Sequence, residues 1–343
     1  MKKSTKDYLV DRTYKASIGL ANAVLVTLGI GLLIETLGTF TGWEGFITVG
    51  KTAQLMLAPA IGAGIAYQLG GNTLVIFSAM ASATIGAGAL NLSPDGSGWI
   101  LTTGQPISAV LAAVVAIWVG KKVTGKTKLD MMSIPFAAIF VGGVVGVGLA
   151  AVVTPLLEWL SAQIATAVSG SPLIGSMVIS LIWSIFLMSP ASSAAIAIAL
   201  QLDPVSSAAA LIGCTAQFAG WTAMSFRQND IGANIAQSFL TPKVQVPNLV
   251  KNPRLVVGPF LSAIICALIA IMLFNFQVPY ELAGLGLNSF IAPLNILANQ
   301  GIGVLAMYLV IGVVVPAVIS VATYKAFQLK GWAKTGDLKM EVQ

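Results

Sequence analysis

Residues 181–226 read LIWSIFLMSPASSAAIAIALQLDPVSSAAALIGCTAQFAGWTAMSF, an apolar run that empties at once into a polar coda at 227–254, RQNDIGANIAQSFLTPKVQVPNLVKNPR. The run is long enough to bury in a bilayer, yet it is cut twice, by MSPASS at 188–193 and by LDP at 202–204. An uncut stretch would form one or two spanning helices. Cuts at membrane depth are tolerated only where the freed backbone is buried in protein or lines a cavity. Interrupted helices of this kind point to a binding site in transporter folds.

Composition sets the class. Of 343 residues, 57% are hydrophobic and 9% charged, with a mean hydropathy of +0.89. A soluble domain carries about 25% charged residues, so the chain belongs in a membrane. Its pI near 9.3 does not imply nucleic acid, because the basic residues form short clusters between apolar runs. Cys214 and Cys266 both lie inside apolar runs and read as small packing residues rather than a disulfide pair. There is no histidine, which removes histidine-based metal sites, phosphohistidine and Ser–His chemistry together. No cofactor is expected, no phosphate-binding loop occurs, and no paired carboxylates suit acid–base catalysis. The N-terminal MKKSTKDYLVDRTYKAS is a basic lead-in followed by a full span, not a cleavable signal.

Segments of roughly 17–25 apolar residues place the spans. They fall at 16–37, 53–69, 73–92, 106–120, 134–157 and 173–188. The arms 190–202 and 205–226 follow, then 257–276, an interrupted piece at 282–299 and a last span at 302–327. Gly142 and Gly146 are spaced for close helix packing. The predicted division is a cytoplasmic lead (1–15), an N-terminal membrane part for scaffold and oligomerisation (16–158), a C-terminal membrane part (173–327) and a cytoplasmic tail (328–343).

Lysine and arginine placement orients these segments. All 18 basic residues except Lys51 fall in clusters at 2–15, 121–128, 227–254 and 325–339. If every cluster is cytoplasmic, the chain crosses an even number of times between neighbours. That requires 190–226 to be a re-entrant hairpin from the cytoplasmic side and 282–299 to dip in from outside. Glu35, Glu44, Asp95, Glu158 and Glu281 then all fall on the outer side. The expectation is a multi-pass protein of the cytoplasmic membrane with both termini inside.

The runs MSPASSAAIAIAL, IGCTAQFAGWTAMSFRQNDIGANIAQ and VPNLVKNPR, with the closing KGWAKTGDLK, carry a resemblance. They are similar to the EIIC proteins of the phosphotransferase system, in the branch of perfringolysin O regulator-like membrane proteins. The resemblance implies an all-α, polytopic EIIC-like fold of about ten membrane elements with two opposed re-entrant hairpins. It also implies a homodimer and a permease for a sugar. Sugar-phosphorylating members typically carry a catalytic Glu in a Gly-Ile-Thr-Glu motif and a site histidine, and this chain has neither, nor a fused EIIB domain. No catalytic residue is therefore assigned, and an enzyme is not expected.

Several residues are candidates for ligand contact. Gln217 and Trp221 are four apart and share a helical face, so they either bridge to a neighbouring helix or meet a polar ligand. Trp183, like Trp221, lies deep enough to offer a flat face to a sugar ring or to pack in the core. Ser189 and Ser192 stand at the first cut and Gln201 at the second. Asp203 is the only charge between Glu158 and Arg227. An intramembrane carboxylate is a functional-site hypothesis by default, while Asp before Pro204 also reads as a helix N-cap. Arg227, Asn229 and Asp230 form either a positive-inside loop with an Arg–Asp pair or a segment folded back to close the site. Asn288, Asn295 and Asn299 sit in the outer interrupted piece, where loop polarity is the plainer reading. Amides, hydroxyls and indoles with few charges suit a small neutral hydroxylated solute. The reading is a transporter of that solute. Its alternatives are a sensor signalling through 227–254, or an EIIC subunit working with a separate EIIB. Further expected partners are the bilayer, a second copy and a cytoplasmic signalling protein, with no nucleic acid and no metal.

Overall fold

The computed structural model describes residues 5–93, 98–189 and 192–340; Lys2, Lys3, Asp95 and Pro190 lie outside them. The chain divides into two compact units, Met1–Leu160 and Ser161–Gln343. The boundary falls inside one long helix.

In the first unit, α1 (Thr5–Val24) runs through a wide turn at 25–29 into α2 (Ile30–Thr41), covering the predicted first span. Gly42, at φ 68°, ends α2, and α3 (Glu44–Leu55) folds back along it. The backbone breaks again at Met56 before α4 (Leu57–Gln68). The span expected at 53–69 is therefore a 12-residue helix, roughly 18 Å long against a hydrocarbon core of about 30 Å. Asn72 caps α5 (Thr73–Gly86) by accepting a hydrogen bond from Val75 N at 3.0 Å. A short antiparallel hairpin, β1 (Leu90–Leu92) with β2 (Trp99–Leu101), then cuts off the span expected at 73–92. Gln105 caps α6 (Pro106–Val123), accepting from Ile107 N and Ser108 N with Pro106 in the first turn.

α7 (Asp130–Gly170) has 41 residues, about 60 Å, and contains the whole span predicted at 134–157. A Cβ at Gly142 would lie 2.7 Å from that of Ala116, and one at Gly146 would lie 2.7 Å from that of Ala112. Helices α6 and α7 thus approach through the two glycines whose spacing predicted a close face.

The second unit is arranged around α10 (Pro204–Ser225), which is buried on nearly every side. Its alanines and glycines admit close neighbours: α8 (Pro172–Met188), α13 (Val257–Phe274) and α15 (Val315–Leu329). Ser180 Oγ donates to Ala263 O at 2.9 Å and Ser184 Oγ to Gly213 O at 2.9 Å, pinning α8 to α13 and to α10. Hydroxyl-to-carbonyl bonds of this kind join helices where apolar burial between them gains nothing. Between α8 and α10 lies α9 (Ser193–Leu200), and between α10 and α13 lie two short helices, α11 (Ile231–Ile235) and α12 (Val246–Lys251). α14 (Ile291–Leu309) is broken at Gly301, whose φ of 85° and ψ of 175° are not helical. It then passes through a wide turn at 310–314 into α15.

Five helical runs among the described residues are long and apolar enough to cross a membrane. They are Asp11–Thr41, Pro106–Val123, Asp130–Gly170, Pro253–Phe274 and Asn288–Leu329, the last divided by Gly301. The fold is all-α and of membrane type.

Candidate functional site

Two interrupted stretches of the second unit meet. α8 closes with Ser189 Oγ donating to Phe186 O at 2.9 Å, and α9 opens with Ser192 Oγ accepting from Ala195 N at 3.2 Å. The buried Trp183 donates its indole N–H to Ser193 O at 3.2 Å, and Ser193 Oγ donates to Gly284 O at 2.8 Å. Gly284 has φ 83°, and a Cβ there would lie 2.6 Å from the Ser193 carbonyl, so only glycine allows this approach. Further along, Val278 N donates to Pro204 O at 3.2 Å. The irregular stretch 278–284 therefore runs beside α9, from the start of α10 back to the start of α9.

The contacts between the two stretches thus fall at Ser193–Gly284 and Pro204–Val278, and the later part of the interrupted piece turns elsewhere. Asn288 Nδ2 donates to Leu240 O at 3.0 Å, and Phe290 stacks on Phe239 at 4.4 Å, so this end of the piece joins the 227–254 segment. Asn295 is buried in α14 and its carbonyl accepts from Asn299 Nδ2 at 3.0 Å.

Asp203 caps α10: its Oδ1 accepts from Val205 N at 3.0 Å and Ser206 N at 3.1 Å. Its other oxygen, Oδ2, is buried without a hydrogen-bond partner. The residue borders a cavity of about 410 Å³ that also touches Ser169, Pro172, Ile271 and Asn275. A carboxylate oxygen left open this way can take a proton, a cation or a hydroxyl donor. Gln201, before it, adopts a left-handed φ of 47° and ends α9.

Gln217 and Trp221 are completely buried and satisfied by protein. Gln217 Nε2 donates to Pro259 O at 3.1 Å, and Trp221 Nε1 donates to Gln217 Oε1 at 3.2 Å. This pair bridges α10 to α13.

The segment after α10 folds back as a polar layer. Arg227 is exposed and makes no ion pair with Asp230 among the described residues; Asp230 instead caps α11, accepting from Ala233 N at 2.7 Å. A relay of amides then runs inward. Gln237 Nε2 donates to Ser225 Oγ, Gln245 Nε2 to Gln237 Oε1, and Asn248 Nδ2 to Gln245 Oε1. The same layer holds the closing segment. Gln228 Oε1 accepts from Gly336 N, Asn229 Oδ1 from Met340 N, and Leu338 O accepts from both Asn229 and Gln245. Burial here pulls the Lys243 ammonium below the usual lysine range. Sequence reasoning missed Ser193, Asn275, Gln237 and Gln245. The density of Asn and Gln between 228 and 252 was the available signal for the last two.

The family model described as "Phosphotransferase system, EIIC" matches residues 14–340. No curated protein matches the chain.

Proposed function

The chain belongs to the EIIC family of the phosphotransferase system, and on that premise we propose that it binds and translocates a small neutral hydroxylated solute of the sugar class. The family is that of a transporter-type membrane component, and membership implies a sugar substrate and an EIIB partner. The observation that carries the reading is the meeting of the two interrupted stretches at Ser193–Gly284 and Pro204–Val278. Chain turns of this kind leave backbone N–H and C=O groups available to hydroxyls or to a coupling ion. The site would run along α9 with Ser189, Ser192, Gln201 and Asp203, and the 278–284 stretch would close its other side. With no histidine and no Gly-Ile-Thr-Glu motif in these residues, facilitated or ion-coupled passage fits better than phosphorylation during transport. Both termini would be cytoplasmic. Glu44→Cys should then react with an impermeant thiol reagent in intact cells and Lys251→Cys should not; the reverse pattern would invert the topology.

A sensing role is the second reading. It is favoured by the amide relay that ties Ser225, at the end of α10, through Gln237, Gln245 and Asn248 to the closing segment. Solute bound beside α10 would be felt at that surface. A thermal-shift screen of the purified chain against neutral sugars, polyols and charged metabolites tests the ligand class. A neutral sugar or polyol should raise the melting temperature; stabilisation by charged metabolites alone would contradict the proposal.

A further inference from the structure

The closing segment is too well held to be a loose tail. Besides the bonds to Gln228, Asn229 and Gln245, Lys339 O accepts from Asn248 Nδ2 at 3.0 Å, and Trp332 O from Asn252 Nδ2 at 2.9 Å. Lys334 O accepts from Tyr324 OH at 2.8 Å. Ala333 and Leu338 are buried in an apolar cluster with Met188, Trp221 and Leu255. Between this segment and the α12–α13 connection lies a cleft of about 650 Å³, walled by Lys251 and Arg254 on one side and Lys334 and Lys339 on the other.

None of these four cations forms an ion pair with a carboxylate among the described residues. The one acid of the cleft, Asp337, is occupied in shaping the turn: its Oδ2 accepts from Lys334 N at 2.9 Å and from Asn252 Nδ2 at 3.3 Å. Arg254 also lies over the Trp332 ring at 5.2 Å, which fixes its guanidinium at the cleft. Ordinary positive-inside lysines on a mobile loop would drift apart to relieve repulsion. Here the backbone at 332–340 is bonded in place, so the two walls and the cationic side chains they carry are kept on one cleft.

We infer that this cleft binds a phosphate-bearing anion, which bridges the 246–254 connection to the 331–339 segment. Two lysines and an arginine beside a fourth cation match the oxygens and charge of a phosphate group. The group could come from a soluble phosphorylated compound or from an anionic lipid headgroup. The inference is independent of the proposed transport site, since it uses none of its residues.

The test uses the full chain purified in uncharged detergent. Inorganic phosphate, titrated against chloride at constant ionic strength, should raise the melting temperature with a saturating curve. In Lys334→Gln/Lys339→Gln the half-saturating concentration should rise by roughly tenfold, and Arg254→Gln should repeat the loss from the other wall. Lys126→Gln/Lys128→Gln, exposed and remote in sequence, should respond like the wild type. A parallel arm compares bilayer discs of phosphatidylcholine with and without phosphatidylglycerol, reading amide hydrogen exchange over 330–340. Protection by phosphatidylglycerol without any effect of phosphate assigns the ligand to lipid; the opposite assigns it to a soluble phosphate compound. No response to either probe, or equal responses in the cleft variants and the wild type, would overturn the inference.

Discussion

Asp203 divides its work between two oxygens. One caps α10 and the other is buried beside a cavity with no partner. Asp203→Ala removes the cap and should destabilise the protein by about 0.5–2 kcal/mol. Asp203→Asn keeps an acceptor for the cap, so the fold should hold while any proton or cation dependence of flux disappears. Melting curves and flux across a pH and ion series check both; wild-type ion dependence in a folded Asp203→Asn would leave only the cap. The capping role was legible in the Asp–Pro pair, but the open oxygen was not, because its surroundings come from Pro172 and Asn275, distant in sequence. Gln217 shows the same limit. Its spacing from Trp221 placed both on one face, yet the partner that occupies its amide is Pro259 O, 42 residues away.

Breaks decide the elements. Sequence reading ended the interrupted piece at 299 and resumed at 302, and the backbone departs from helix at Gly301. That break was visible because glycine there follows Asn299 and Gln300. The early break at Met56 was not, since Met56 carries no turn signal; the one after Gly86 was marked by Gly88, a helix-ending glycine at φ 61° that the hydropathy of 73–92 masked. Gly301 and Gly303 separate backbone strain from crowding, because a Cβ at either would meet nothing within 4 Å. Gly301→Ala forces a side chain into a conformation reserved for glycine and should cost roughly 1–3 kcal/mol. Gly303→Ala lies in ordinary helix and should be neutral or gain up to about 1 kcal/mol. Equal effects in denaturation would mean that α14 runs unbroken through 301.

For the molecule as a whole, composition alone assigned the membrane, and the 181–254 motifs assigned the family that the match over 14–340 bears out. What the motifs could not supply is the partnership of distant stretches: 193 with 284, 204 with 278, and 228–248 with the closing segment. Those contacts turn a set of interrupted helices into a candidate path for solute and a surface that could report on it. Transport, sensing and phosphorylation make different demands on the purified chain, and counterflow in proteoliposomes separates them. Vesicles are loaded with the sugar that best stabilises the protein and diluted into its labelled form, with neither phosphoenolpyruvate nor EIIB present. The account predicts transient accumulation of unmodified label. Accumulation only when EIIB and a phosphoryl donor are added, or none at all while binding is intact, would contradict it.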